Sequence, residues 1–406
     1  MLHAHDVALR SCVRALDDDE LFAEELDELR AAVDAALVDA LPEVVVAWLL
    51  AGHLSAEHAD AITQQLQRLH GPELAVTPRA LVPIRPPDRT TFGDDVRLTT
   101  NPETTTPPTD RTLRFTLAPD DLRGVEVTLS WGLDGALAPV ALRPDLRLGA
   151  ACPAPLAPGN LDKDSYERGD QPLFYDVRPT DRERVRAEIL ELLERARESR
   201  AHLVVLPELL VDDALLATLE GWLRPGEAPF GVVAGSRHVP RSDRDQPGEN
   251  VTTLLTTGGR HEHRKYAPYV IREAGGLDRH EDIWPKKRLR LLVSGRSSVL
   301  LLVCKDFLDA EATALATALR ATLVLVPALT DRTGEFCVRA EQLVLDCQAT
   351  TLVANGLRAA GASTAIVARP VRTSTTGPRA FTLDPQQGSS LTLVTLGDPI
   401  VDVRHP

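Results

Sequence analysis

Lysine is scarce in this chain of 406 residues, which contains five lysines and otherwise uses arginine as its cation. Acidic residues outnumber basic ones by 59 to 45, and the formal net charge is −14. Such a chain repels phosphate backbones, so nucleic-acid binding is disfavoured. The best candidate for a basic patch is the segment Lys286, Lys287, Arg288 and Arg290. A solvated loop is the favoured interpretation of that segment.

Cysteine is also rare, and its pattern excludes two kinds of protein. The five cysteines stand at positions 12, 152, 304, 337 and 347, without any C-x-x-C pair. An odd, scattered set indicates neither a disulfide framework nor a zinc site, and it favours a reducing cytoplasm. The longest apolar run, residues 44 to 52, is too short to cross a bilayer, and the start turns acidic by Asp17. We therefore expect no membrane or export segment.

Several common catalytic motifs are missing from the sequence. There is no G-x-S-x-G, H-E-x-x-H, G-x-G-x-x-G or G-x-x-x-x-G-K. This absence argues against serine hydrolases, zincins, dinucleotide-binding enzymes and P-loop enzymes. His261 and His263 flank Glu262, but no third ligand cluster stands at a recognisable spacing, and the segment is predicted to be a turn. The sequence thus predicts neither a metal nor a cofactor.

Composition divides the chain into four parts. Residues 1–75 have apolar positions at helical spacing and predict a small helical module. Residues 76–110 are rich in proline and threonine and predict a linker. Residues 111–145 contain short runs in which apolar and polar residues alternate. These runs predict strands, but the sequence does not indicate to which domain the strands belong. Residues 146–406 predict a catalytic domain, and the linker predicts that residues 1 to about 110 serve a partner and not the chemistry.

The catalytic domain shows a pattern of strand, helix and strand. Thr180 and Glu183 predict a capping box that opens a helix with an apolar face through Ile189. Further helices are predicted around 310–320 and 336–349. Buried strands are predicted at 146–152, 203–206, 231–234, 251–255, 299–303, 323–326, 352–354 and 365–368. Many buried strands and few helices imply an α/β fold in which two sheets pack between layers of helices.

Three reactive residues stand where strands end, which is where α/β proteins place their sites. Glu208 follows the predicted strand 203–206, Lys265 comes after a Gly-Gly turn, and Cys304 ends the strand 299–303. A thiol attacks a carbonyl or nitrile carbon faster as a thiolate, and the carboxylate of Glu208 would accept its proton. The ammonium of Lys265 and the backbone N–H of Lys305 would stabilise the oxyanion that forms.

These segments resemble the nitrilase superfamily of carbon-nitrogen hydrolases, over about residues 146–400. Four blocks in the family's order carry the resemblance. They are LVVLPEL at 203–209 for the glutamate; NVTTLL at 250–255 with Gly259 and Arg264-Lys265 for the lysine; LLVCKD at 301–306 with LVLVPA at 323–328 for the nucleophile; and RAE at 339–341, VAN at 353–355 and GAS at 361–363 after it.

The resemblance implies a four-layer αββα sandwich, assembled into homodimers or larger homo-oligomers by helix packing. It also implies a second active-site glutamate shortly after the lysine, for which Glu273, eight residues beyond Lys265, is the matching position. Two features depart from the family. Lys305 stands where relatives carry an aromatic residue, and the segment 160–179 is unusually long and a candidate lid. We expect the ammonium of Lys305 to be neutralised by Asp306, by Glu273 or by an anionic substrate.

The function predicted from these residues is hydrolysis of a non-peptide carbon-nitrogen bond in an amide, nitrile or carbamoyl substrate, through a covalent intermediate on Cys304. The same chemistry with an amine or alcohol acceptor would be acyl transfer, and the sequence does not separate the two. The alternative from another class is a nitrilase-like sensor or scaffold, of a kind found in bacterial defence-type systems, with the N-terminal module recruiting a protein partner.

Overall fold

The predicted catalytic domain accounts for most of what the structure, a computed structural model, describes. Nearly all of the predicted helical module and most of the predicted linker lie outside the described residues. The residues described are 73–76, 78, 81–82, 116–119, 121–131, 145–153, 156, 161–167, 173–239, 247–272, 278–284, 286–294, 297–357, 362–370, 380–383 and 389–396.

Two large β-sheets form the middle of the molecule, with strands numbered in chain order. One has eight strands in the spatial order β1 (Glu73–Val76), β4 (Glu126–Ser130), β14 (Arg288–Ser294), β15 (Ser297–Leu301), β16 (Leu323–Ala328), β17 (Thr350–Asn355), β18 (Ala365–Ala368) and β19 (Ala380–Leu383). The other has six, in the order β11 (Gly259–Arg264), β10 (Glu249–Thr256), β9 (Gly231–Val239), β8 (Leu203–Val205), β5 (Arg147–Cys152) and β20 (Ser390–Thr395).

Side chains that alternate along the central strands pack the two sheets together. Leu203 and Val205 of β8, with Leu323 and Leu325 of β16, belong to the core between the sheets. Val204, between the first two, belongs instead to the core beneath the helices. Because both faces of these strands are covered, the sequence shows unbroken apolar runs there in place of an alternating pattern.

Among the described residues, four α-helices complete the layers. Helices α1 (Arg182–Glu198) and α2 (Asp213–Trp222) cover the six-stranded sheet, and α3 (Ala310–Ala318) and α4 (Thr333–Cys347) cover the eight-stranded sheet. The predicted αββα sandwich is therefore confirmed. The cap of α1 differs from the prediction: it is Asp181, not Thr180, whose carboxylate accepts the backbone N–H of Arg184 at 3.0 Å.

The sequence does not indicate to which domain the segment 111–145 belongs. In the structure it contributes β4 to the eight-stranded sheet. This strand pairs in parallel with β14 and antiparallel with β1. Strand β1 lies at the end of the range predicted to be helical, so the structure differs from the sequence prediction at residues 73–75. A smaller pairing joins β2 (Leu81–Val82) to β3 (Thr116–Leu117).

The basic segment at 286–290 is engaged with carboxylates of neighbouring elements. Lys286 and Arg288 both pair with Glu126 of β4, at 2.6 and 2.9 Å. Lys287 pairs with Asp309 and Glu311 at the start of α3. These ion pairs join β4 and α3 to the start of β14, and this is consistent with a structural role for the segment.

The long segment before α1 forms a hairpin of β6 (Leu161–Tyr166) and β7 (Leu173–Pro179). It belongs to a four-stranded sheet with β12 (Val270–Ile271) and β13 (Arg279–Glu281), in which β7 pairs in parallel with β13. The predicted lid is thus paired through its backbone with a strand that follows Lys265. Among the described helices, none is long and apolar enough to span a membrane.

We expect a chain that begins at residue 111 to melt at least about 3 °C lower than one that begins at residue 72. The shorter chain loses β1 and β2, which leaves the edge of β4 unpaired. Thermal denaturation followed by circular dichroism measures the difference. Equal melting temperatures would contradict a stabilising role for β1.

Candidate active site

A tight turn after β8 brings Glu208 to the centre of the molecule. Its backbone N–H donates to the carbonyl of Ala328, at the end of β16, at 3.3 Å. The next residue, Leu209, has a left-handed backbone with φ of 62°. Gly235 of β9 lies against this turn, and a Cβ on it would approach the Pro207 carbonyl oxygen to 2.1 Å. A glycine is therefore required there for the turn to form.

Lys265 follows β11 and points its side chain at Glu208. Its backbone N–H donates to the carbonyl of Asn250 at 2.8 Å, which continues the pairing of β10 with β11. The side-chain ammonium lies 2.8 Å from Glu208 Oε1 and 2.7 Å from Glu281 Oε2. All three side chains are buried, with at most 3% of each exposed. The predicted neighbours Glu208 and Lys265 thus meet, together with a second carboxylate.

That second carboxylate is Glu281, which the sequence analysis missed. Glu273, the position proposed from the resemblance, lies outside the described residues. Glu281 ends β13, sixteen residues beyond Lys265. Several acids follow Lys265, and spacing alone does not select among them. The parallel pairing of β13 with β7 is what turns Glu281 towards the lysine.

Glu281 accepts hydrogen bonds at both carboxylate oxygens. Lys265 Nζ and the backbone N–H of Tyr269 donate to Oε2, at 2.7 and 2.9 Å. Asn250 Nδ2 and His238 Nε2 lie 2.8 and 3.2 Å from Oε1. The amide of Asn250 also donates to Glu208 Oε1, at 3.0 Å, and so bridges the two glutamates. These contacts fix the carboxylate in one orientation.

Cys304 stands at the start of a short 3₁₀ helix, Cys304–Leu308, just beyond β15. Its φ of 45° is unusual for a residue other than glycine, and such backbone strain is common at functional sites. The thiol is hydrogen-bonded with the Glu208 carboxylate, and the backbone N–H of Leu329 also reaches it. The structure therefore places the predicted nucleophile, base and cation in one buried cluster.

The residues after Cys304 join the nucleophile turn to the lysine segment. Asp306 is fully buried, and its carboxylate accepts the backbone N–H groups of Tyr266 and Ala267, at 3.2 and 2.8 Å. His263 Nε2 lies 3.1 Å from the same carboxylate. His263 belongs to β11, so the turn predicted around it is in fact a strand. These bonds fix the distance between Cys304 and Lys265.

The ammonium of Lys305 makes a contact that differs from the expected pairing with Asp306. It donates to the carbonyl oxygen of Pro268 at 2.7 Å, and the side chain is half-buried. The carboxylate of Asp306 is directed elsewhere, towards the lysine segment. A carbonyl dipole offsets only part of the cost of burying an ammonium. Lys305 is therefore able to take a further anionic partner.

The charges in the cluster shift the pKa values of the two glutamates in opposite directions. Burial raises the pKa of Glu281, but Lys265 and His238 outweigh it and hold that pKa well below its ordinary value. Burial raises the pKa of Glu208 and Lys265 lowers it, but the charge of Glu281 raises it again, and the net result is an increase. Glu281 therefore stays ionised, whereas Glu208 is the carboxylate suited to exchange a proton.

The lysine and the cysteine complete the charge pattern. Burial lowers the pKa of Lys265, but the two carboxylates outweigh it and hold the pKa well above its ordinary value. Burial, and then the charge of Glu208, raise the pKa of the Cys304 thiol. At neutral pH the resting site therefore holds an ammonium and a protonated thiol, and the thiol needs a base before it can attack.

The other described cysteines lie apart from this cluster. The thiol of Cys152 is buried and contacts the carbonyl of Thr364 at 3.2 Å, and Cys337 and Cys347 lie on α4. The described residues include no group of three or more histidine, cysteine, aspartate or glutamate side chains arranged to hold a metal ion.

Solved structures similar to this chain include an amidase from Nesterenkonia sp., at 20% identity over 64% of this chain and 96% of the amidase, with a TM-score of 0.44. Nit3 of Saccharomyces cerevisiae, a member of branch 10 of the nitrilase superfamily, is 15% identical over 62% of this chain and 90% of its own, with a TM-score of 0.40. No protein-family model and no curated protein sequence matches the chain.

We expect the alkylation of Cys304 by iodoacetamide to fall off in acid at a pH above 4.5, the ordinary pKa of a glutamate. Glu208 accepts the thiol proton only when ionised, and a raised pKa moves the loss of the base to higher pH. The measurement is the alkylation rate against pH, with circular dichroism to confirm folding. The acid decline should disappear in Glu208→Gln, and a decline centred at or below 4.5 would contradict the assignment.

Proposed function

We propose that this protein hydrolyses a non-peptide carbon-nitrogen bond, in an amide, nitrile or carbamoyl compound, through a covalent intermediate on Cys304. The observation that carries the proposal is the buried ammonium of Lys265, held between Glu208 and Glu281, with Glu208 also bonded to the Cys304 thiol. A base, a nucleophile and a fixed cation held together in a buried site are what acyl transfer to a thiol requires.

In the first half of the reaction, Glu208 takes the thiol proton and the sulfur attacks the substrate carbon. For an amide, the carbonyl oxygen becomes negatively charged, and the ammonium of Lys265 with the backbone N–H of Lys305 stabilises it. Protonated Glu208 then gives its proton to the leaving nitrogen. The carbon-nitrogen bond breaks, and a thioester remains on Cys304. A nitrile gives a thioimidate by the same attack; a water molecule then adds to its carbon, the nitrogen leaves as ammonia, and the thioester remains.

In the second half, Glu208 takes a proton from water, and the resulting hydroxide attacks the thioester carbon. Collapse of this intermediate releases a carboxylic acid, and the proton returns to the sulfur through Glu208. An amine or alcohol in place of water would give acyl transfer instead. The acceptor alone distinguishes the two reactions, because the acyl-enzyme is common to both.

We expect intact mass spectrometry with a panel of amides and nitriles to detect an acyl adduct on Cys304. Cys304→Ala should abolish the adduct and turnover, and Glu208→Gln should slow turnover by at least about a hundredfold through loss of the base. Cys337→Ala, on the outer helix α4, is the matched control and should react like the parent. Full turnover in Cys304→Ala would exclude the mechanism.

We further propose that the substrate carries an anionic group, such as a carboxylate or phosphate, that pairs with Lys305. The support is its ammonium, half-buried beside the nucleophile and bonded to the carbonyl of Pro268. A carbonyl oxygen is neutral and does not cancel the charge of the ammonium, whereas an anionic group on the substrate would.

Lys305→Met should then raise KM for an amide that bears a carboxylate by about tenfold, with little change in kcat. The neutral ester-capped analogue of the same amide is the control and should be unaffected. The comparison is the ratio of kcat/KM for the two compounds in parent and variant. An unchanged ratio would exclude recognition of a substrate anion by Lys305 and leave only its structural contact with the Pro268 carbonyl.

A further inference from the structure

His238, near the end of β9, joins the inserted hairpin to the catalytic carboxylates. Its side chain is only 6% exposed. On one side, its Nδ1 lies 3.0 Å from the backbone nitrogen of Val177, in β7. On the other, its Nε2 lies 3.2 Å from Glu281 Oε1. The imidazole therefore contacts the hairpin with one nitrogen and the second glutamate with the other.

The contact with Val177 decides where the imidazole proton lies. A backbone N–H can only donate, so Nδ1 must accept and be unprotonated. Asp176 Oδ1 is also near Nδ1, but at 3.6 Å it is too far for a hydrogen bond. The neutral ring then carries its proton on Nε2, from which it donates to Glu281.

This donation fixes the orientation of the carboxylate that holds Lys265. Glu281 Oε1 receives bonds from His238 and Asn250, while Oε2 receives the Lys265 ammonium at 2.7 Å. Without the His238 donor, Oε1 keeps only the bond from Asn250, so the carboxylate gains freedom to rotate and carries the ammonium with it. The charge of Lys265 lowers the pKa of the Cys304 thiol, so its displacement would weaken the nucleophile.

We propose that His238 is a positioning residue: the Val177 N–H of the β6–β7 hairpin fixes the ring tautomer, and the Nε2–H then holds Glu281 in place and so sets the position of Lys265 relative to Cys304. Its effect on turnover rests on the proposed function, whereas its effect on the reactivity of Cys304 does not. The inserted hairpin thereby supports the reaction centre, in addition to pairing with β13.

Two variants separate the two contacts of the ring. In His238→Asn, the amide oxygen takes the place of Nδ1 and keeps the bond from Val177, but the donor to Glu281 is lost. In His238→Gln, the amide nitrogen takes the place of Nε2 and keeps the donor. We expect the Asn variant to slow alkylation of Cys304 by iodoacetamide about tenfold, and the Gln variant to stay within about threefold of the parent.

A matched control is available in His202, whose Nδ1 accepts the backbone N–H of Arg147 at 3.0 Å. It has the same type of contact but immediately precedes β8, at the opposite end of that strand from Glu208. His202→Asn should alkylate at the parent rate. Equal slowing in the Asn and Gln variants of His238, or no slowing in either, would overturn the proposal.

Turnover supplies a second test. If the parent hydrolyses an amide, His238→Asn should lower kcat about tenfold and leave KM within about twofold, since Lys265 acts on the transition state. A tenfold fall in kcat/KM that comes from a rise in KM, with kcat unchanged, would overturn the positioning role. If no amide reacts while the alkylation difference persists, the proposed function fails and the role of His238 stands.

A third measurement does not need the Asn variant to fold. Nitrogen-15 spectra of histidine-labelled protein report the tautomer of each ring, and the signal that disappears in His238→Gln belongs to His238. We expect the ring to carry its proton on Nε2 and to leave Nδ1 unprotonated. A ring protonated on Nδ1 would overturn the proposal, because it could not accept the Val177 N–H.

Discussion

A buried ammonium, that of Lys265, is the constraint around which the site is built. Taking an ammonium out of water is costly, and it is tolerated only when carboxylates are held against it with good geometry. Glu208 and Glu281 satisfy this need at 2.8 and 2.7 Å, and they come from opposite sides of the lysine in the chain. Removing either partner of such a buried pair typically costs about 3–5 kcal/mol. The turn after β8, the end of β11 and strand β13 must therefore meet at one point.

The surrounding contacts give the two glutamates different chemical roles. Glu281 is bonded at both oxygens and paired with Lys265, so it remains an anion and keeps the ammonium charged. Glu208 shares Lys265 with it and also contacts Cys304, and the neighbouring charge of Glu281 raises its pKa. A permanent anion and an adjustable base thus arise from the same residue type through environment alone.

The inserted hairpin connects this electrostatic arrangement to the rest of the fold. Strand β7 pairs with β13, which carries Glu281, and its Val177 N–H sets the tautomer of His238. Asp306 provides a comparable link on the other side, between the Cys304 turn and the segment after Lys265. The site is therefore held by backbone hydrogen bonds from several elements, which is how a rigid reaction centre is maintained.

The sequence by itself determined the layers and three members of the cluster. Strands such as 203–205 and 323–328 are covered on both faces, so their unbroken apolar runs are visible without any structure. Three residues of the cluster each lie just after the end of a strand, so their positions can be predicted from the sequence. They are Glu208, Lys265 and Cys304.

Only the tertiary structure decided the place of Glu281, of β4 and of the Lys305 ammonium. Glu281 faces Lys265 because β13 pairs with β7, about a hundred residues earlier in the chain, and no local pattern encodes such a pairing. Strand β4 belongs to the main sheet through its pairing with the distant β14. Lys305 contacts a carbonyl at Pro268 that the lysine segment brings to it. Contacts between segments that are distant in the chain, which leave no signal in residue spacing, fixed each of these positions.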